Sequence, residues 1–210
     1  MDIHQTEEQQ VEAIKKFWDD NGNSIIAGLA IGLAGFVGFN WFKEHKLEQE
    51  IATADAYESV IELAGKDNDA FKSKGESFIA ENTGSSYSAF TAFALAKDAA
   101  DNKNWEAAAK HLNAAISNAS DNGIKAIATV RLARVQVQLE QFDKALSTLS
   151  ATLPESFKAQ VEEVKGDTYL KQGKPELARN AYQAAIDASG DASNPVLQMK
   201  LDDLAESVQL

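Results

Sequence analysis

The chain has 210 residues, a quarter of them charged, and a formal net charge of −12, divided as −4 over residues 1–20 and −8 over residues 43–210. An acidic chain without a basic stripe argues against nucleic acid and against electrostatic adhesion to anionic lipid. With no cysteine there is no disulfide, thiolate metal site or cysteine nucleophile, and every redox compartment is permitted. Abundant alanine, few aromatics and only three prolines favour helices over strands.

Residues 1–23 form a short acidic tail. Val11, Ile14, Phe17 and Trp18 recur there at helical spacing, with Glu and Gln opposite. Two readings stand: an amphipathic helix lying at a membrane interface, or a docking peptide for a partner protein. Asn21, Gly22 and Asn23 are expected to break the pattern, and Ser24 to cap a new helix.

Residues 24–42, SIIAGLAIGLAGFVGFNWF, carry no charge. A helix rises about 1.5 Å per residue, so this stretch matches the roughly 30 Å hydrocarbon core of a bilayer. It reads as one transmembrane helix. A buried soluble helix would keep a polar face, and a cleaved signal would start basic and end on small residues. Here the start is acidic and the end is Asn40, Trp41, Phe42 and Lys43, with Trp41 and Phe42 suited to the headgroup region. Gly28 and Gly32 form GxxxG, Ala30, Ala34 and Gly38 continue a small-xxx-small row with Gly35 nearby, and a partner helix would pack there, in a homodimer or a heteromer. Lys15 and Lys16 before the span balance Lys43 and Lys46 after it, so charge leaves the orientation open.

Residues 43–86 read as membrane-proximal helices. Ile51, Ala54, Tyr57, Val60 or Ile61, and Ala64 fall on one face, the span running on or bending into them, and a second helix covers about Ala70 to Ala80. From Tyr87 the chain repeats. A small residue (Ala96, Ala133, Gly166) lies twelve positions before an alanine (Ala108, Ala145, Ala178), and Leu112, Leu149 or Tyr182 follows four positions later. Ala115, Thr152 or Ala185 and then Ile116, Leu153 or Ile186 complete the pattern. Facing small residues let the helices of an antiparallel pair approach closely, and the larger ones fill the seam to the next pair. The alternative is a generic helical bundle. Asp191 to Pro195 end the third copy, and Leu197, Leu201, Leu204 and Val208 mark the apolar face of a capping helix.

The pattern resembles tetratricopeptide repeats, whose period is about 34 residues. The expected fold is therefore all-α: one N-terminal transmembrane helix, then a tetratricopeptide-like solenoid with a capping helix over 87–210, residues 43–210 forming one domain. The resemblance implies a concave groove lined by first helices and puts Phe90, Phe93, Lys97, Ile127, Val130 and Arg134 on it. An extended peptide or a partner's helix would suit such a surface. Packing of Phe90 and Phe93 under the preceding helix pair is the competing reading. His4, His45 and His111 are scattered and no nucleophile elbow or phosphate loop occurs, so no enzyme, metal or cofactor is expected.

The segments QVEAIKKFW (Gln10 to Trp18), RLARVQVQL (Arg131 to Leu139) and QMKL (Gln198 to Leu201), together with the span and its aromatic end, resemble the YfgM family of bacterial inner-membrane proteins over nearly the whole chain. The resemblance implies a cytoplasmic tail, one span and a periplasmic repeat domain. It further implies an ancillary subunit of the SecYEG translocon that assists emerging periplasmic or outer-membrane proteins beside the folding factor PpiD. A regulatory tether restraining a response regulator of the Rcs stress pathway is the alternative implied.

Overall fold

The computed structural model of the chain describes residues 7–190 and 195–207. The expected break over Asp191 to Asn194, together with Val208 and His4, lies outside them. The described residues contain no strand, and the chain divides into two compact units, 1–52 and 53–210.

The first unit is the greater part of a single helix, α1 (Glu7–Ile61), which is the one helix among the described residues long and apolar enough to cross a membrane. The expected break at Asn21 to Asn23 is absent. Local bonding explains why: the Asn21 side-chain amide donates to the Phe17 carbonyl at 3.1 Å, and the Trp18 indole covers Gly22. Asparagine and glycine disfavour a helix by less than about 1 kcal/mol each, so one back-bond and one ring contact suffice to carry it through. Ser24 therefore caps nothing. Every residue from Ser24 to Phe42 is exposed, as a lipid-facing helix requires.

The second unit starts with the last turns of α1 and continues through α2 (Asn68–Glu81), α3 (Ser86–Asp101), α4 (Trp105–Asn118), α5 (Asn122–Gln138) and α6 (Phe142–Leu149). It closes with α7 (Lys158–Lys171), α8 (Pro175–Ser189) and α9 (Pro195–Ser207). The N-termini of α2 to α5 are closed by the residue types that polar capping requires: Asp67, Ser85, Asn104 and Asp121 each accept a backbone N–H from the first turn, and Pro175 opens α8.

The repeat is visible in the turns as well as in the packing. Asn104 N donates to Ala99 O, Gln141 N to Gln136 O and Lys174 N to Tyr169 O, all at 2.8–2.9 Å. In each turn the preceding residue, Lys103, Glu140 or Gly173, has a left-handed backbone, with φ of 56°, 58° and 71°. The three turns share one helix-ending motif, in which a left-handed residue lets the N–H after it reach a carbonyl five residues back. Their spacing of 37 and 33 residues is that of Ala108, Ala145 and Ala178, which are fully buried.

The core is a series of small clusters, each shared by neighbouring hairpins. Ala96, Ala99, Ala108, Leu112, Leu132 and Val135 join α3, α4 and α5, and Val130, Ala133, Val137, Ala145, Leu149, Val161 and Val164 join α5, α6 and α7. Ala178, Tyr182, Ala185, Leu197 and Leu204 seal the last hairpin under α9, the expected cap. The second copy departs from the pattern at Thr152. α6 stops at Leu149, and Thr152 lies exposed in the segment leading to Pro154, whose ring disfavours helix in the residue before it.

Packing of this kind also begins before Tyr87. Val60, Phe71, Phe78 and Leu95 form a cluster, and Gly75, 33 residues before Ala108, has Leu95 against it, 3.1 Å from where a Cβ would stand. Bonds at an offset of 34 residues tie this hairpin to the next: Lys110 to Glu76 at 2.7 Å and Gly84 N to the Asn118 side chain at 2.7 Å.

Candidate binding groove

First helices α3, α5 and α7 succeed one another along one side of the second unit and leave two clefts between them. The larger, of about 490 Å³, lies between α3 and α5 and is lined by Phe93, Ala94, Ala96, Lys97, Ala100, Leu112, Arg131, Arg134 and Val135. Its origin is in the sequence: where α3 offers alanines, no side chain reaches across to α5. The smaller, of about 300 Å³, lies between α5 and α7 against Val137, Gln138, Val164, Asp167, Leu170 and Lys171, and Arg134 borders both.

Of the six residues expected in a groove, Phe93, Lys97 and Arg134 line the larger cleft. Phe90 and Ile127 are exposed, 40% and 38%, but belong to neither cleft. Val130 is a correction. It is 4% exposed, packed with Ala133, Val137 and Ala145, because its position on α5 turns it towards α6 rather than outward. Phe93 is half-buried and packs on the clusters of α3 to α5, against one of which Ile79 of the hairpin before them also packs.

Three cations surround the larger cleft. Lys97 pairs with Asp101 one turn on, an exposed contact of little energetic weight. Arg131 is laid over the Phe93 ring, its guanidinium carbon 5.1 Å from the centroid, a cation–π arrangement. Arg134 approaches Glu163 of α7 at 3.6 Å. Glu163 in turn accepts from Lys200 of α9 at 2.9 Å, and Lys200 also donates to Asp167 at 2.8 Å. The Tyr182 hydroxyl donates to the same Asp167 oxygen at 2.7 Å, and Lys200 lies 5.5 Å from the Tyr182 ring centroid. Burial opposes the charge on Lys200, yet its bonds to Asp167 and Glu163 prevail and its pKa is raised.

Sequence reasoning singled out neither Arg131, which lines the larger cleft, nor Lys200, which bonds to Glu163 and Asp167. Both lie in segments that serve above only as marks of kinship, RLARVQVQL and QMKL. Arg131 stands three residues before Arg134, hence on the same helical face, and that spacing was the available signal.

In the first unit, Gly28, Gly32, Gly35 and Gly38 are exposed and nothing lies within 4 Å of a Cβ at any of them. Val11, Ile14, Phe17 and Trp18 are likewise exposed, each by half or more. His111, by contrast, is 7% exposed on α4, with Nε2 3.9 Å from Glu76. Among the described residues no group of His, Asp and Glu is placed to hold a metal ion.

Comparison with known proteins places these features. A family model described as "Tetratricopeptide repeat-like domain" matches residues 15–206. Curated relatives named "Ancillary SecYEG translocon subunit" include a protein of Escherichia coli, 32% identical over 98% of this chain and all of its own. That of Haemophilus influenzae is 31% identical over 94% of this chain and 97% of its own, and that of Neisseria gonorrhoeae 29% over 97% and 100%.

Proposed function

The chain belongs to the tetratricopeptide repeat-like family of ancillary SecYEG translocon subunits, and from that membership we propose a membrane-anchored, non-enzymatic protein-binding subunit that acts beside the translocon. α1 holds it in the bacterial inner membrane with the tail (1–23) in the cytoplasm, the span over 24–42 and residues 43–210 in the periplasm. The work done there is brief shelter of emerging periplasmic or outer-membrane segments, in concert with PpiD.

The observation that carries this reading is the open, apolar cleft between α3 and α5. It offers alanines, Phe93 and Leu112 for burial and cations at its border, but no nucleophile beside a base. An anchor confines such a cleft near the exit site and raises its effective concentration there. A photo-crosslinker at Lys97, in the full-length protein in membranes, should trap translocating chains. One at Lys144, exposed on α6 and outside both clefts, should not. Equal yields from both positions would sink the groove reading, and failure to co-purify with SecYEG in mild detergent would sink the translocon reading.

A regulatory tether is favoured by one observation, the exposure of Val11, Ile14, Phe17 and Trp18. Replacing Phe17 and Trp18 by Ser should then change Rcs signalling while SecYEG still co-purifies; unchanged signalling removes the tether.

A further inference from the structure

We propose that the cleft between α3 and α5 selects an internal protein segment in which an aspartate or glutamate closely follows a large apolar side chain, the apolar group filling the cleft and the carboxylate bonding to Arg131. The inference rests on the binding reading above and specifies its client.

The charge pattern carries it. In a chain of net charge −12, the lining of this cleft contains three cations and no carboxylate. Two of the three have acidic partners, Lys97 with Asp101 and Arg134 with Glu163. Arg131 has none among the described residues; its contact is the Phe93 face. A guanidinium on a ring still has edge N–H donors to offer, and a carboxylate accepts two of them side by side. No existing ion pair has to break. Asp101 and Glu163 offset Lys97 and Arg134 and leave the charge of Arg131 in excess, while salt at physiological strength screens charges beyond roughly 8 Å.

The apolar requirement comes from the floor. Ala96 and Leu112 are almost fully buried beneath the cleft, so a ring or branched aliphatic side chain seated there loses its contact with water. An internal carboxylate fits better than a chain end. The two clefts meet at Arg134, so a segment lying over α5 has surface to follow on towards α7.

The test uses the full-length protein in nanodiscs and blocked, labelled peptides carrying Phe with Asp two residues later, read by fluorescence anisotropy. Replacing that Asp by Asn should weaken binding about tenfold, as loss of one charge-assisted bond implies, and replacing Phe by Ala should weaken it at least as much. Arg131→Gln should bind the Asp and Asn peptides alike, and Arg131→Glu should prefer a Lys peptide. Equal affinity of the wild-type protein for Asp and Asn peptides overturns the inference while leaving the binding module standing. Preference for an unblocked C-terminus over the internal Asp overturns it too, and an absence of binding to every peptide overturns both readings.

Discussion

Tyr182 on α8 occupies the space that any side chain at Gly166 on α7 would need: a Cβ there would fall 2.5 Å from Cδ1 of the ring. The third hairpin thus closes with a large residue over none, where the earlier two set Leu112 and Leu149 over alanines. Tyr182 is wholly buried and its hydroxyl is bonded to Asp167, so the ring has nowhere to move. Gly166→Ala should therefore destabilise the domain by about 1–3 kcal/mol, the usual effect of overpacking, although alanine is the better helix former by about 1 kcal/mol. Thermal unfolding followed by circular dichroism would show it, and an unchanged or raised midpoint would refute the packing argument.

Glu140 and Lys103 hold left-handed backbones in turns where the third repeat has Gly173. A side chain there costs about 1 kcal/mol, and both residues are exposed, so little else depends on their identity. Glu140→Gly is expected to stabilise the domain slightly, by up to about 0.5 kcal/mol, after the extra freedom of glycine in the unfolded chain is deducted. A lower unfolding midpoint would show that the side chain contributes something the backbone argument omits.

Much of this architecture was legible in the sequence because it depends on side-chain size at fixed spacing. Ala96 with Ala108, Ala133 with Ala145 and Gly166 with Ala178 are meeting points of paired helices, and Leu197 and Leu204 mark the buried face of the cap. What could not be read depends on the third dimension. Val130 looks like groove lining until α6 is placed beside it, and Asn21 and Gly22 look like a break until their contacts with Phe17 and Trp18 are seen. The role of Lys200 is harder still, since its partners Glu163 and Asp167 lie 37 and 33 residues away and only the folded cap brings them together.

Lys200 and Tyr182 make stability depend on alkaline pH. Burial and then the bond to Asp167 raise the Tyr182 pKa, and the bonds of Lys200 to Asp167 and Glu163 outweigh burial to raise that of the ammonium. Both groups hold their protons more tightly when folded. Their contribution is whole below the ordinary values of 10.0 and 10.5 and is lost as pH rises beyond them towards the raised values. The urea midpoint should fall above about pH 10, less steeply in Lys200→Met or Tyr182→Phe. An equal slope in both variants would assign the loss to other groups.

His111 acts at the other end of the scale. Burial lowers its pKa, against the pull of Glu76 and Asp98 and with the help of Lys110. A depressed histidine contributes stability that is present above its ordinary 6.5 and lost as pH falls through the folded value. Glu76, held down chiefly by its bond to Lys110, adds a similar loss only below 4.5. Below pH 6.5 and above 4.5 the wild-type midpoint should fall while that of His111→Gln stays level, and the His111 imidazole resonance should titrate below 6.5. A parallel decline in both proteins would remove His111 as the cause.

Gly32 tests whether the membrane helix has a partner. Nothing within the chain lies within 4 Å of a Cβ there, so Gly32→Leu introduces no clash in the protein alone, and leucine favours the helix. The domain's unfolding midpoint should not change. A partner helix packed on Gly28, Gly32 and Gly35 would meet the new side chain at once, because close approach is what small residues permit. Co-purification of SecYEG subunits in mild detergent should then fall several-fold in Gly32→Leu, yet stay at the wild-type level in Ile31→Leu, a neighbour exposed on another face of the same helix. If both variants retain the partners equally, the glycine face is not the contact, and association with the translocon comes from another part of the chain.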